Sequence, residues 1–382
     1  MSSKPRFVGV KVRLGDVVSA SSERNKGGRC SAVYSVTNSQ GFVPSEDYFS
    51  KEVYSKDLKT YRVVERNMIA YNPSRINVGS VALQDKCDEV VVSPLYVVFS
   101  VDGSRVKPGY AVRFLKSKPG LDQIAFQSIG TVRNNLKFKA LCQMRLKLPS
   151  LAVQEERLAN LASIESQINQ SRKAIEEFDQ LAKSRFVEMF GDPDSNPHGL
   201  EVCPLGKVLS VQPSNGMYKP QKDYVSDGSG TPIIRIDSFR SEGPDYSSLK
   251  RLNCNESECR RYGINENDIV INRVNSVGCM GKTMLVSHIP EVTVFESNMM
   301  RLHSDEAFMI PAFLCAQMTS GFSKSYFEAN AKRAIGQASI NQKDVKGLPV
   351  LVPTIANQKA YLSFVSQVDK SRFVRDHEIN FR

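Results

Sequence analysis

The chain has 382 residues and a formal charge of +11, and no run of 18 apolar residues, which excludes a membrane-spanning helix. Its 8 cysteines are scattered without regular spacing and read as reduced thiols, not a disulfide framework. The opening, Met1-Ser2-Ser3-Lys4-Pro5-Arg6, lacks the apolar stretch of a secretory signal, so a cytoplasmic location is expected.

Charge is unevenly placed. Residues 1–148 hold 24 Lys+Arg against 12 Asp+Glu, whereas residues 191–352 hold 17 against 18. A basic first part suits a polyanionic partner, nucleic acid foremost. The second part would have to bind such a partner through a local patch.

In chain order, Arg13-Leu14-Gly15-Asp16-Val17-Val18-Ser19 opens the first domain. Strands are expected at Val63-Val64, Met68–Tyr71 and Glu89–Val101, and a short helix at Pro108–Lys116. Pro149-Ser150-Leu151-Ala152-Val153-Gln154 then starts a segment free of Gly and Pro that runs to about residue 190, where Asp192-Pro193 stops it. A helix of that length would extend about 60 Å. Its apolar positions Leu161, Ile164, Ile168, Ile175, Phe178 and Ala182, with Ser171 filling one slot, step by three and four, as in a coiled-coil seam, and Leu158 and Phe186 are further spacer candidates.

The pattern then repeats. Pro204-Leu205-Gly206-Lys207-Val208-Leu209-Ser210 reopens it. Strands are expected at Asp268–Asn272, Met284–Ser287 and Val292–Phe295, and a helix at Pro311–Met318. Pro353-Thr354-Ile355-Ala356-Asn357-Gln358 starts a second long helix with Leu362, Val365 and Val368 in the same phase. A repeat of about 200 residues is a duplicated domain, not a solenoid unit. The economical arrangement packs the two helices together; the alternative packs each on its own domain. The apolar pattern of the second helix ends at Val368, and a short second helix would leave the far end of the first, Phe178 to Phe190, uncovered.

Enzyme motifs fail on inspection. Gly278-Cys279-Met280-Gly281-Lys282-Thr283 ends like a phosphate-binding loop, but Ser276 stands where that loop needs its first Gly. Cys254 and Cys259 are too widely spaced for a zinc pair, and the four histidines are isolated in sequence. Recognition chemistry fares better. Asn72, Arg75 and Asn77 share a loop between two apolar runs, and Asn272, Arg273 and Asn275 share its counterpart. Arg and Asn read guanine and adenine edges through paired hydrogen bonds. A second pair of segments carries Arg133 and Asn134, then Gln337 and Asn341. Arg24, Lys26, Arg29, Arg235, Lys282, Lys332 and Arg333 are further candidates for phosphate or base contacts. The plain alternative is solvated turn chemistry.

The chain resembles the specificity subunit of type I restriction–modification enzymes. The resemblance rests on Leu148-Pro149-Ser150-Leu151-Ala152-Val153-Gln154 and on Lys183-Ser184-Arg185-Phe186-Val187-Glu188-Met189-Phe190-Gly191-Asp192-Pro193. It continues in Gly230-Thr231-Pro232-Ile233-Ile234-Arg235-Ile236 and in Leu348–Gln358. It implies an α/β (α+β) chain with two target-recognition domains, residues 1–148 and 192–352. Between and after them it implies a central spacer helix at 149–191 and a short C-terminal spacer helix at 353–382. It implies a chain without catalysis of its own that reads a split duplex DNA target. The implied partners are two DNA adenine methyltransferase subunits and restriction subunits of translocase and endonuclease type. S-adenosylmethionine, ATP and Mg would be bound on those partners. A single-chain restriction–modification enzyme and a helical scaffold without a DNA role are the competing readings.

Overall fold

A computed structural model describes residues 9–48, 55, 57–128, 135–238, 243–275, 280–334 and 337–380. The chain divides into two compact units, Met1–Gln167 and Ile168–Arg382. The division falls inside the long helix, not at either of its ends.

In the first unit the strands are β1 (Val10–Arg13), β2 (Val18–Ser21), β3 (Tyr34–Val36), β4 (Phe42–Pro44), β5 (Arg62–Glu65), β6 (Ile69–Tyr71), β7 (Val81–Leu83), β8 (Glu89–Val92), β9 (Val97–Val101) and β10 (Arg145–Leu148). The helices are α1 (Ser45–Tyr48), α2 (Pro108–Lys116), α3 (Lys118–Gln127), α4 (Phe138–Leu141) and the start of α5 (Leu151–Phe190). The main sheet has the order β2-β9-β6-β7, antiparallel throughout. β1 and β10 pair separately, so the two ends of the globular part close on each other. The Glu89–Val101 run, expected as one strand, is two. Pro94 cannot donate to a ladder, and the chain turns between Ser93 and Tyr96.

The second unit repeats this plan. Its strands are β11 (Val202–Pro204), β12 (Leu209–Asn215), β13 (Tyr224–Val225), β14 (Thr231–Ile234), β15 (Lys250–Leu252), β16 (Ile269–Asn272), β17 (Val274–Asn275), β18 (Thr283–Leu285), β19 (Val294–Phe295), β20 (Met299–Ser304), β21 (Lys332–Ala334), β22 (Gln337–Ser339) and β23 (Pro349–Leu351). Its helices after α5 are α6 (Glu256–Tyr262), α7 (Pro311–Met318), α8 (Gly321–Asn330), α9 (Gln342–Lys346) and α10 (Ile355–Asn380). The sheet β12-β20-β16-β18 corresponds to β2-β9-β6-β7, and the β11–β23 pair to β1–β10.

The two Leu-Gly openings have a physical cause. Leu14 and Leu205 are fully buried, and their N–H groups donate to Met144 O and Leu348 O, each at 2.8 Å. A Cβ on Gly15 would stand 2.8 Å from that of Cys142, so only glycine lets the turn approach the segment before β10. Pro108 and Pro311 each open a helix, where a missing N–H costs nothing and the fixed φ fits the first turn.

In the second unit the C-terminal half of α5 packs against α10. Phe186 and Phe190 stack on Phe313 and Tyr361, with ring centroids 5.1–6.0 Å apart. Arg185 lies over the Phe364 ring at 5.7 Å, and Arg372 pairs with Asp179 at 3.3 Å. Contacts that climb α10 while descending α5 make the helices antiparallel. The expectation that Phe178 to Phe190 lacks a cover is therefore corrected. Phe178 is half-buried and Phe186 and Phe190 are buried, because α10 starts, not ends, beside them. The helix also continues past Val368 to Asn380. Among the described residues no helix is long and apolar enough to cross a membrane.

Candidate nucleic-acid interface

In the second unit, short strands gather residues from two distant segments. β17 pairs with β22, and β22 with β21, giving a small antiparallel sheet. Asn275 faces Ala338, which also faces Arg333; Lys332 faces Ser339. Ile340 N donates to Arg273 O at 2.9 Å and extends the junction. Lys332, Arg333 and Gln337 are exposed. Arg273 is half-buried, and its Nη1 donates to Ser297 O at 3.1 Å, which fixes the guanidinium at the sheet's edge. Residues that the sequence places some 60 positions apart thus share one small sheet, Asn275 and Arg333 on one face and Lys332 and Gln337 on the other. Lys282 is exposed just beyond, and its carbonyl accepts the Asn272 N–H at 2.9 Å.

Three other candidates of this unit have structural duties. Asn272 is 2% exposed in the middle of the main sheet, because β16 extends through it to pair with Met299. Arg235 is enclosed by the Tyr224 ring at 5.4 Å and by Glu296 and Asp237 at 3.9 Å, so its charge is balanced within the fold. Asn341 caps α9, accepting the N–H groups of Lys343 and Asp344 at 2.8 and 3.1 Å.

The first unit presents a comparable loop. Asn72 Oδ1 accepts from Ser74 N and Oγ at 3.1 and 2.9 Å, an Asx turn that shapes the loop. Gly79, at φ +89°, closes it. Arg75 and Asn77 stand exposed on it. Pro73 O accepts from Leu136 N at 3.0 Å, and the Tyr71 hydroxyl donates to Leu136 O at 3.1 Å. The loop is therefore bound to the segment before the last strand, as in the second unit. Burial raises the Tyr71 phenol above its usual value, so it remains a donor. Arg133 and Asn134 lie outside the described residues.

A second loop, residues 24–30, is held by buried Asn25, which bonds both backbone groups of Cys30. Gly27 and Gly28 take positive φ with open space around them, and Arg24 and Lys26 are exposed. Arg29 is neutralised by Glu23 at 2.8 Å and Glu89 at 3.1 Å.

Along the long helices, Val368 is buried, Leu362 and Val365 pack on the second unit's core, and Ile168, Ile175 and Phe178 are half-buried. Leu158 lies against Gly109 of α2. Leu161 and Ile164 are 40% and 38% exposed, so the expected seam is not buried along its whole length. Leu158 and Leu161 instead border an open apolar cavity of about 550 Å³ with Tyr110, Phe114 and Leu146. Arg113 binds Glu165 through two parallel hydrogen bonds and holds its carboxyl below the usual range.

Comparison with known proteins places these features in context. Residues 197–379 match the family model described as Type I restriction modification DNA specificity domain. The chain is 24% identical over 275 residues to the type I restriction enzyme StySPI specificity subunit of Salmonella potsdam, covering 69% of this chain and 58% of that protein. It is 23% identical over 294 residues to the EcoKI specificity subunit of Escherichia coli K12, covering 73% and 60%. The chain thus spans under two thirds of the length of these relatives. Among solved structures, the type I restriction–modification S subunit from M. genitalium superposes with a TM-score of 0.54 at 12% identity, covering 100% of this chain and 94% of that one. A chain from a study of complex assembly and conformational transition of the type I system gives 0.55 at 15%, covering 100% and 95%. At such identities the superpositions speak for the fold.

Proposed function

We propose that this chain is a member of the specificity-subunit family of type I restriction–modification systems, whose domain model matches residues 197–379, and that it reads a split DNA sequence, one half-site through each globular part. The observation that carries this reading is the β17-β22-β21 sheet, which gathers Asn275 and Arg333 on one face and Lys332 and Gln337 on the other, with Arg273 just before β17. Arginine and asparagine supply the paired donors and acceptors that distinguish bases, and lysine supplies phosphate contact. Arg75 and Asn77 are the corresponding exposed pair in the first unit. Arg133 and Asn134 remain proposed DNA contacts on sequence grounds alone.

Residues 1–148 and 192–352 act as the two reading domains, and residues 149–191 and 353–382 as the spacer. Two modest affinities multiply when both domains engage at a fixed separation. The chain acts without catalysis of its own. Two adenine methyltransferase subunits and, with them, restriction subunits would supply it, binding S-adenosylmethionine, ATP and Mg themselves. The exposed Leu161 and Ile164 offer an apolar stripe on which a partner helix can seat.

Exchange of residues 11–148 for the matching part of a relative tests the reading. In the assembled methyltransferase, one half of the methylated sequence should change and the other stay. Change in both halves would contradict two independent readers. Methyl transfer by the purified chain alone would favour the single-chain enzyme, and absence of salt-dependent DNA binding would favour the scaffold.

A further inference from the structure

Arg24 and Arg62, the first residue of β5, form an isolated antiparallel bridge. The flanking bonds run from Asn25 N to Tyr61 O and from Val63 N to Glu23 O, at 3.0 and 3.2 Å. The two arginines are therefore a non-hydrogen-bonded pair, the register in which opposed Cα atoms come closest, about 4.5 Å, and side chains share one face. Like charges directly opposite each other are destabilising there. Burial and the Arg24 charge both push the Arg62 guanidinium below its usual value.

The fold nonetheless holds both groups in place without neutralising them. Arg24 Nη1 donates to Thr60 O at 2.9 Å. Arg62 Nε donates to Pro94 O at 3.2 Å and its Nη1 to Ser21 O at 3.4 Å. Carbonyls orient the guanidiniums but leave their charge intact. Among the described residues no carboxylate forms an ion pair with either. The neighbouring Glu23 is engaged by Arg29, and strand alternation puts Glu23 on the opposite face from Arg24. The contrast within one short segment is informative: Arg29 is paired with two acids, and Arg24 and Arg62 with none.

We infer that Arg24 and Arg62 together form a clamp for a single phosphodiester of the DNA backbone, a site that rests on the DNA-reading function proposed above. One anion between them would cancel the cross-strand repulsion and use the guanidinium N–H groups that lack a protein acceptor. Exposed Lys26 lies on the next turn of chain. Sequence inspection singled out Arg24 but passed over Arg62, because its partner is 38 residues away and is brought opposite only by the bridge.

The test is a salt titration of duplex binding by the full chain, its Arg24→Gln and Arg62→Gln variants, and the double variant. Each neutralised phosphate contributes a slope of about 0.9 in log K against log salt. Since both arginines serve one phosphate, the double variant should flatten the slope by about 0.9 and no more, and neither single variant should exceed it. Melting temperatures without DNA should hold or rise, because a like-charge contact is removed. Unchanged slopes in all variants overturn the clamp, as does a double variant flatter by about two such contacts. In either case the unaltered chain still binds, so the DNA reading stands. Absence of salt-dependent binding by the unaltered chain would overturn both. Duplexes with one uncharged methylphosphonate linkage, moved along the strand, give a second measure. At one position the unaltered chain should lose affinity while the double variant does not; no such position would also overturn the clamp.

Discussion

Gln358 accepts the backbone N–H of Ile310 at 2.8 Å, just where that chain turns into α7. Its Nε2 donates to Phe308 O and Pro353 O at 2.8 and 2.9 Å. In the first unit, Gln154 accepts from Lys107 N at 2.9 Å and donates to Arg105 O and Pro149 O at 2.9 and 3.0 Å. Both side chains are fully buried. The repeated Pro-x-x-x-x-Gln is thus a clamp that ties the first turn of a long helix to the entry of another. Replacement of either Gln by Ala would leave the buried Pro149 or Pro353 carbonyl unpaired, at about 1–3 kcal/mol, and would remove the partner of a part-buried N–H and a second carbonyl. Glu would fail as well, since an ionised carboxylate cannot donate. Chemical denaturation of Gln154→Ala and Gln358→Ala should show losses of similar size, each confined to its own unit's transition.

Phe186 and Phe190 anchor α5 in the second unit's core through Phe313 and Tyr361. Phe186→Ala should destabilise that unit by about 3–5 kcal/mol, the usual cost of an emptied aromatic site. Leu161→Ala, on the exposed stripe, should change stability far less. Denaturant midpoints of the two variants make the comparison.

Arg113 keeps Glu165 ionised in the folded chain at pH values where the unfolded chain already takes up a proton. The stabilisation is present above the unfolded value, about 4.3, and is lost as pH falls through the depressed folded value. Arg113→Ala should therefore lower stability at neutral pH and converge with the unaltered chain in acid. With both side chains over 40% exposed, the gap should stay below about 1 kcal/mol. Melting curves across pH check the convergence.

The fold was legible wherever local chemistry decides it. Proline at the helix starts put α2 and α7 at their observed bounds, and the absence of Gly and Pro marked α5. β20 was missed because Arg301 and His303 break its apolar pattern. Both are accommodated by buried Asp268, a partner over 30 residues away that no local window contains. The candidate surface was legible as two loops and no further. That Asn275 and Arg333 share a sheet depends on strand pairing. That Asn272 is interior and Arg235 is enclosed by carboxylates depends on burial, and residue type alone carries neither.

Insertion of four residues near Glu176, about 6 Å of helix, tests the spacer role. The gap between methylated half-sites should lengthen while their bases stay the same. An unchanged gap with activity retained would mean that the helices do not set the spacing.

The central claim, that this chain supplies sequence specificity through two readers, is tested most directly by mapping methylated adenines in host DNA with and without its gene. The account predicts a motif of two short specified halves around an unspecified gap, lost when the gene is removed and restored by the unaltered chain. Methylation that persists without the gene, or a gene-dependent motif that is continuous, would contradict it.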